Sequence, residues 1–237
     1  MHRSSRLANR HQSLMRAQIK SLALDLLIQH GYRGVSFGDL AELLNTTRAN
    51  IHYHFGNKER LVEEVLEDYV DATLTALKKV WIQPSIPLAR KIETMVEYSR
   101  RRYAKYNPAG KKGRPWSLIA RMRQDSDALT PKGRASLKRF GKELYTCIVQ
   151  AIEDAKSRNE FAAAMPVEDI ALQLVSIANS AGPITQDAGD FDRLEQLYSA
   201  FTRIMIQAFG QRVASSGERP SRSNRKKRAL GGPEFER

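Results

Sequence analysis

The 237-residue sequence predicts an all-α protein of about nine helices, with an N-terminal three-helix helix-turn-helix domain followed by a larger C-terminal helical domain. Three observations carry that expectation. Apolar residues recur at three- and four-residue spacing along nearly the whole chain, no segment alternates β-branched and polar residues, and the periodic stretches are separated by Gly, Pro, Asn and Ser placed to stop or start helices.

The first helix is expected from about Ser13 to His30, where Ile19, Leu22, Ala23, Leu26 and Leu27 share a face and Gly31 ends the pattern. Ser36 opens the second, because SFGD has the form of a capping box, and Leu40, Leu43 and Leu44 give that helix its apolar side. Asn45 suits a tight turn, Thr47 can cap a third short helix to about Tyr53, and Asn57 caps a long fourth helix that runs to about Gln83 and stops before Pro84 and Pro87. A fifth spans Leu88 to Tyr106, and the segment NPAGKKGRP then breaks the pattern. Beyond it, PWSLIARMRQD forms a short sixth helix, Thr130 and Pro131 start a seventh that ends near Asn159, the eighth covers Pro166 to Ala181, and the ninth Phe191 to Phe209. The resulting domain boundaries are a flexible basic arm at 1–12, the helix-turn-helix domain at 13–60, a larger C-terminal helical domain at 61–210, and a disordered basic tail at 211–237, whose closing GGPEFER is set aside from the fold reading.

A formal charge of +13 is spread unevenly. Residues 1–20 hold five basic groups and no acid, residues 211–237 hold eight against three, and residues 100–142 hold fourteen against Asp125 and Asp127. Three basic zones on an otherwise acidic body favour polyanionic partners, through release of counterions from phosphates. The arginines at 3, 6 and 10 and the tail segment RSNRKKR could enter a minor groove or merely add non-specific affinity. One cysteine excludes a disulfide scaffold, and no apolar run approaches the roughly 18 residues of a membrane span. The basic start lacks the apolar stretch of a secretory signal, so a cytoplasmic location and no membrane partner are expected.

The two short helices, Ser36–Leu44 and Thr47–Tyr53, form the helix-turn-helix pattern. On the second of them Ala49, Ile51 and Phe55 are expected to pack, whereas Thr46, Thr47, Arg48, Asn50, His52, Tyr53 and His54 are almost all hydrogen-bonding groups, as a helix reading double-stranded DNA requires. The stretch Ile19 to Leu61 resembles the DNA-binding domain of the TetR family of bacterial transcriptional regulators: Ile19, Ala23, Leu26, Gly31, Tyr32, Ser36, the trio Asp39, Leu40, Ala41, and YHFGNKERL from Tyr53 to Leu61 stand where that family has equivalent residues. His52, where the family commonly has tyrosine, and Asn45 and Thr46, which replace its usual Gly and Val, depart from the pattern.

The resemblance implies a homodimeric repressor that binds a palindromic operator and is released by a small-molecule effector. It assigns base contact to Arg48 and Asn50, a phosphate or base to Thr47, and backbone contact to Ser36, Tyr53, His54 and Lys58, with His52 and Thr46 beside them. The effector pocket would lie among the fourth to eighth helices, with Met95, Tyr98, Tyr103, Trp116, Ile119, Arg121, Phe140 and Tyr145 as candidates. The basic surplus there suggests an anionic effector, paired to Arg100, Arg114, Arg121 or Arg123. Apolar residues on several faces of the last two helices make Ile170, Leu174, Ile177, Leu194, Leu197, Tyr198, Phe201, Ile204 and Met205 candidates for an isologous dimer interface. Cys147 is expected to be a buried hydrophobe.

No glycine-rich phosphate loop, HExxH, CxxC or G-x-S-x-G occurs, and the five histidines all lie in the first quarter, so neither an enzyme, a cofactor nor a metal site is expected. The competing reading is a DNA-binding protein without a small-molecule switch, answering to a protein partner or binding the chromosome broadly.

Overall fold

The computed structural model describes residues 2–109 and 112–211. Among them run nine α-helices: α1 His2–His30, α2 Phe37–Leu43, α3 Arg48–Phe55, α4 Lys58–Trp81, α5 Leu88–Tyr106, α6 Leu118–Gln124, α7 Pro131–Ser157, α8 Val167–Ala188 and α9 Asp192–Phe209, with a 3₁₀ turn at Ser126–Ala128. The capping chemistry read from the sequence is present. Ser36 accepts from Asp39 N (3.3 Å) while Asp39 accepts from Ser36 N (2.8 Å), Thr47 accepts from Asn50 N (3.1 Å), Asn57 from Arg60 N (2.8 Å), and Thr130 from Gly133 N (3.2 Å). Each satisfies amides that the first helical turn leaves unpaired.

Two boundaries differ from expectation. α1 starts at His2 rather than near Ser13, so the residues expected to form a separate arm continue the helix; no Gly or Pro interrupts them. α8 continues to Ala188 instead of stopping at Ala181, carrying Pro183 in its interior on a solvent-exposed position, and ends at Gly189 with φ +74°. A proline costs its own amide bond but need not end a helix whose far side is packed. The tail and its RSNRKKR segment lie outside the described residues.

The helix-turn-helix and the larger domain meet inside α4, whose Leu61, Val62, Val65 and Leu66 are buried in one core shared with Ile19, Ala23 and Leu27 of α1. α4 packs along α7, α7 along α8, and α8 along α9. At the far end Lys91, fully buried, donates from Nζ to Trp81 O (2.7 Å), placing a cation at the carbonyl end of α4. The end of α9 is fixed by an antiparallel bridge, with Ala162 N donating to Phe209 O (2.7 Å) and Gln211 N to Glu160 O (2.9 Å). Cys147 is buried, as expected. No helix among the described residues is long and apolar enough to cross a membrane.

Candidate nucleic-acid interface and cavities

α3 is anchored by two side chains. Ile51 and Phe55 are fully buried, which fixes the helix against α1, α2 and α4 and turns the opposite face outward. On that face Thr47, Arg48, His52 and Tyr53 are exposed, Tyr53 at 70%, while Thr46, Asn50 and His54 are half-buried. Ala49, expected to pack, is exposed: it precedes Ile51 by two residues and so projects from the outward side.

Several of these groups are already engaged. Asn50 donates from Nδ2 to Thr46 Oγ1 (2.9 Å), bracing the turn, and retains its Oδ1 and a second N–H. The His52 ring meets Phe37 edge-on at 4.7 Å, with Nδ1 2.8 Å from Gly56 O, so this residue closes the end of α3. Tyr53 OH accepts from Gln12 (2.9 Å). Lys58 lies 4.3 Å from the centre of the Tyr32 ring, and burial pulls its pKa below the ordinary lysine value. Burial, then the Arg16 charge, lowers the His54 pKa, so the ring is neutral at pH 7. Ser36 Oγ serves the capping box.

Arg16 of α1 was not singled out by the sequence, yet it holds this face together. It donates to His54 O and to Glu64, and its guanidinium sits 4.2 Å from the centre of the Phe55 ring. Only tertiary proximity across 38 positions shows this.

The helix-turn-helix is joined to the larger domain at a second seam. Tyr32 N donates to Asp125 Oδ2 (2.8 Å), Arg33 pairs with Asp127 at 2.5 Å, and Gly31, at φ +74°, faces the Arg121 guanidinium and the Asp125 carboxylate. Arg121, expected in the effector pocket, is therefore at the seam; it lies on the α1 side of α6, whereas Ile119, Ala120 and Arg123 point inward.

Of the other pocket candidates, Met95, Tyr98, Trp116, Ile119 and Phe140 do line one internal cavity, of about 60 Å³, between α4, α5, α6, α7 and α8. Tyr103 instead packs with Trp116 and Phe191 and bonds the backbone of Gly113 and Gly189, and Tyr145 sits half-buried against the core away from the cavity. Of the arginines proposed to pair with an anion, Arg100 is bound to Glu195 and Asp192, and Arg114 lies outside the cavity, while Arg123 lines it and donates to Asn179 (2.7 Å). The sequence reading missed Tyr69 and Arg102, which close the cavity: Arg102 donates to Tyr69 OH and, at 3.3 Å, to Tyr98 OH, and lies over both rings. Outside this gate lies a larger open groove of about 840 Å³ between α1, α4 and α5.

The residues expected at a dimer interface divide. Ile170, Leu174, Leu194, Tyr198 and Met205 are buried within the chain's own core, because α8 and α9 turn those edges toward α7 and α5. Ile177 and Phe201 are half-buried, and Leu197 and Ile204 are exposed, together with Leu172 and Ile206, which were not anticipated.

Fold and site thus define an all-helical protein whose N-terminal helix-turn-helix presents a polar helix outward. Residues 19–65 match the family model described as bacterial regulatory proteins of the tetR family. The HTH-type transcriptional regulator RutR of Escherichia coli (strain K12) is 36% identical over 70 residues, 30% of this chain and 33% of that protein, so the match spans about a third of the curated relative. Among solved structures, a TetR-family transcriptional regulator from Agrobacterium tumefaciens superposes with TM-score 0.70 at 17% identity, covering 84% of this chain and 100% of that one. A putative transcriptional regulator from Saccharomonospora viridis in complex with choline gives TM-score 0.68 at 22% identity over 84% and 100%. These structural likenesses establish the fold. The likeness to the tetR family of bacterial regulatory proteins thus rests on residues 19–65, and the rest of the chain shares the fold of the solved regulators.

Proposed function

We propose that the protein is a sequence-specific transcriptional repressor that binds a palindromic operator as a homodimer and leaves it when a small-molecule effector binds. The observation that carries this reading is the outward presentation of Thr47, Arg48 and half-exposed Asn50 at the N-terminal end of α3, while Ile51 and Phe55 anchor its inner side. A helix entering a major groove needs this division. Arg48 offers the bidentate geometry that suits guanine, Asn50 its remaining amide groups for adenine, and Tyr53, His54 and Lys58 flank them for phosphate contact.

Dimerisation is supported by exposed Leu172 on α8 and Leu197, Ile204 and Ile206 on α9. Two copies of this hairpin would cover these side chains in a four-helix bundle. Effector coupling is supported by α6, which lines the internal cavity with Ile119 and Arg123 and holds the α1–α2 loop through Asp125 just past its end. A displacement of α6 would shift the helix-turn-helix directly.

One observation favours the reading without a small-molecule switch: the internal cavity, at about 60 Å³, is far below the roughly 300–1,000 Å³ of ordinary ligand sites. The deciding experiment recovers genomic fragments bound at about 150 mM salt and sequences them. Enrichment of a palindrome supports the repressor; uniform recovery refutes sequence-specific binding. Thermal-shift screening of metabolites with and without the enriched site then separates the switched from the unswitched form.

A further inference from the structure

We propose that the open groove between α1, α4 and α5 is a binding site for an amphipathic monoanion, a carboxylate carried on a medium-length alkyl body, and that its occupant acts on α3 through Arg16. The regulatory half of this inference rests on the ligand-responsive reading above, whereas the binding half stands alone.

The groove encloses about 840 Å³, within the range of ligand sites, while the internal cavity beside it is closed down. Its floor is apolar and aromatic, built from Leu24, Val65, Ala72, Tyr69, Tyr98 and Tyr106. Its rim carries Arg16, Lys20, Arg101, Arg102 and Lys105 against a single lining acid, Asp68. Lys20 is paired with Asp68, Lys105 with Asp25 (3.1 Å) and Arg16 with Glu64. The adjacent Arg101 and Arg102 meet no carboxylate among the described residues. Arg102 is half-buried and, among the described residues, donates only to the phenol oxygens of Tyr69 and Tyr98. A partly desolvated guanidinium with neutral partners is left short of a counter-charge, and a carboxylate supplies it with bidentate geometry. DNA backbone would satisfy the cations but not cover the aromatic floor, so a small amphiphile fits the whole surface better.

The same groove reaches the recognition helix. Arg16 lines it and simultaneously holds His54 O and the Phe55 ring at the end of α3. An anion drawing Arg16 into the groove competes with that carbonyl and loosens the end of α3.

The test titrates the full chain with decanoate by calorimetry, with decyltrimethylammonium as the cation of equal apolar length. Ala72→Trp and, independently, Ser21→Trp fill the groove from exposed positions, Ala178→Phe fills the internal cavity, and Arg101→Gln removes one free charge; circular dichroism melts confirm that each variant folds. Decanoate is expected to bind, to lose binding in either Trp variant, to weaken about tenfold in Arg101→Gln, and to be unaffected by Ala178→Phe, while the cation does not bind. Amide exchange across residues 48–55 should rise on decanoate addition, and decanoate should release DNA from the wild type but not from Ala72→Trp. Absence of decanoate binding, equal binding of the cation, or loss only in Ala178→Phe overturns the site. Unchanged exchange in residues 48–55 overturns the Arg16 route. If decanoate binds but no specific DNA is ever recovered, the repressor reading fails and the groove assignment stands; if specific DNA is recovered but decanoate does not bind, the groove assignment fails and the repressor reading stands.

Discussion

Gly31→Ala isolates the seam between the two domains. Gly31 and Gly189 share a φ of +74°. A Cβ at Gly189 meets nothing within 4 Å, whereas at Gly31 it falls 2.5 Å from Asp125 Oδ2 and 2.7 Å from Arg121 Nε. Both Ala variants carry the positive-φ strain of about 1–2 kcal/mol and the same small gain from a stiffer unfolded chain. Only Gly31→Ala must also displace the Asp125 carboxylate from Tyr32 N, where the two are 2.8 Å apart. A hydrogen bond to a charged group contributes about 1.5–3 kcal/mol, so this variant should cost roughly 2 kcal/mol more than Gly189→Ala. With an m-value of about 2 kcal/mol/M, that moves the urea midpoint down by about 1 M relative to Gly189→Ala. Protein concentration is held constant across the series, because the midpoint of a self-associating chain depends on it. Equal midpoints for Gly31→Ala and Gly189→Ala would refute the claim that Asp125 ties the α1–α2 loop to the end of α6.

Arg48→Ala should cost about 1–3 kcal/mol of operator binding and relax specificity at one base position, while Lys58→Ala weakens operator and random DNA alike, as read by fluorescence anisotropy on both. Ile204, 65% exposed, can be replaced by Glu without opening the core, so Ile204→Glu should leave helicity intact and shift sedimentation from dimer to monomer. His54 has a folded pKa below 6.5, from burial and then the Arg16 charge, so the unfolded chain takes up this proton first. The stability it confers is complete above about 6.5 and is lost as pH falls through the folded value; the drop in urea midpoint between about pH 7.5 and 5.5 should therefore be smaller in His54→Gln than in the wild type.

The helices were legible because their signals are local. Ser36, Asp39, Thr47, Asn57 and Thr130 each act within three residues of themselves, and each performs the cap expected of it. The two boundaries that differed depend on something not local. Nothing in residues 2–12 forbids a helix, and composition alone cannot distinguish a basic arm from a basic first turn. Pro183 remains in α8 because the rest of that helix is packed against α7 and α9.

The interface and the cavities were legible to different depths for the same reason. Ile51 and Phe55 could be separated from Arg48 on α3 because one helix and one period define both faces. Which edge of α8 and α9 a given apolar residue occupies depends instead on how many neighbours each helix has, and Leu174 and Ile204 differ in burial though both read simply as apolar. The charge-bearing groups were hardest. The excess of arginine around residue 100 was visible, but counting charges cannot reveal that Arg100 is neutralised by Glu195, 95 positions away, while Arg102, two residues on, rests between two tyrosine rings. On a helix those two positions lie about 200° apart, so one faces α9 and the other faces α4 and the groove beside α1. The cation with a carboxylate partner contributes to the fold; the one whose neighbours are neutral phenols is where an anion gains most by binding.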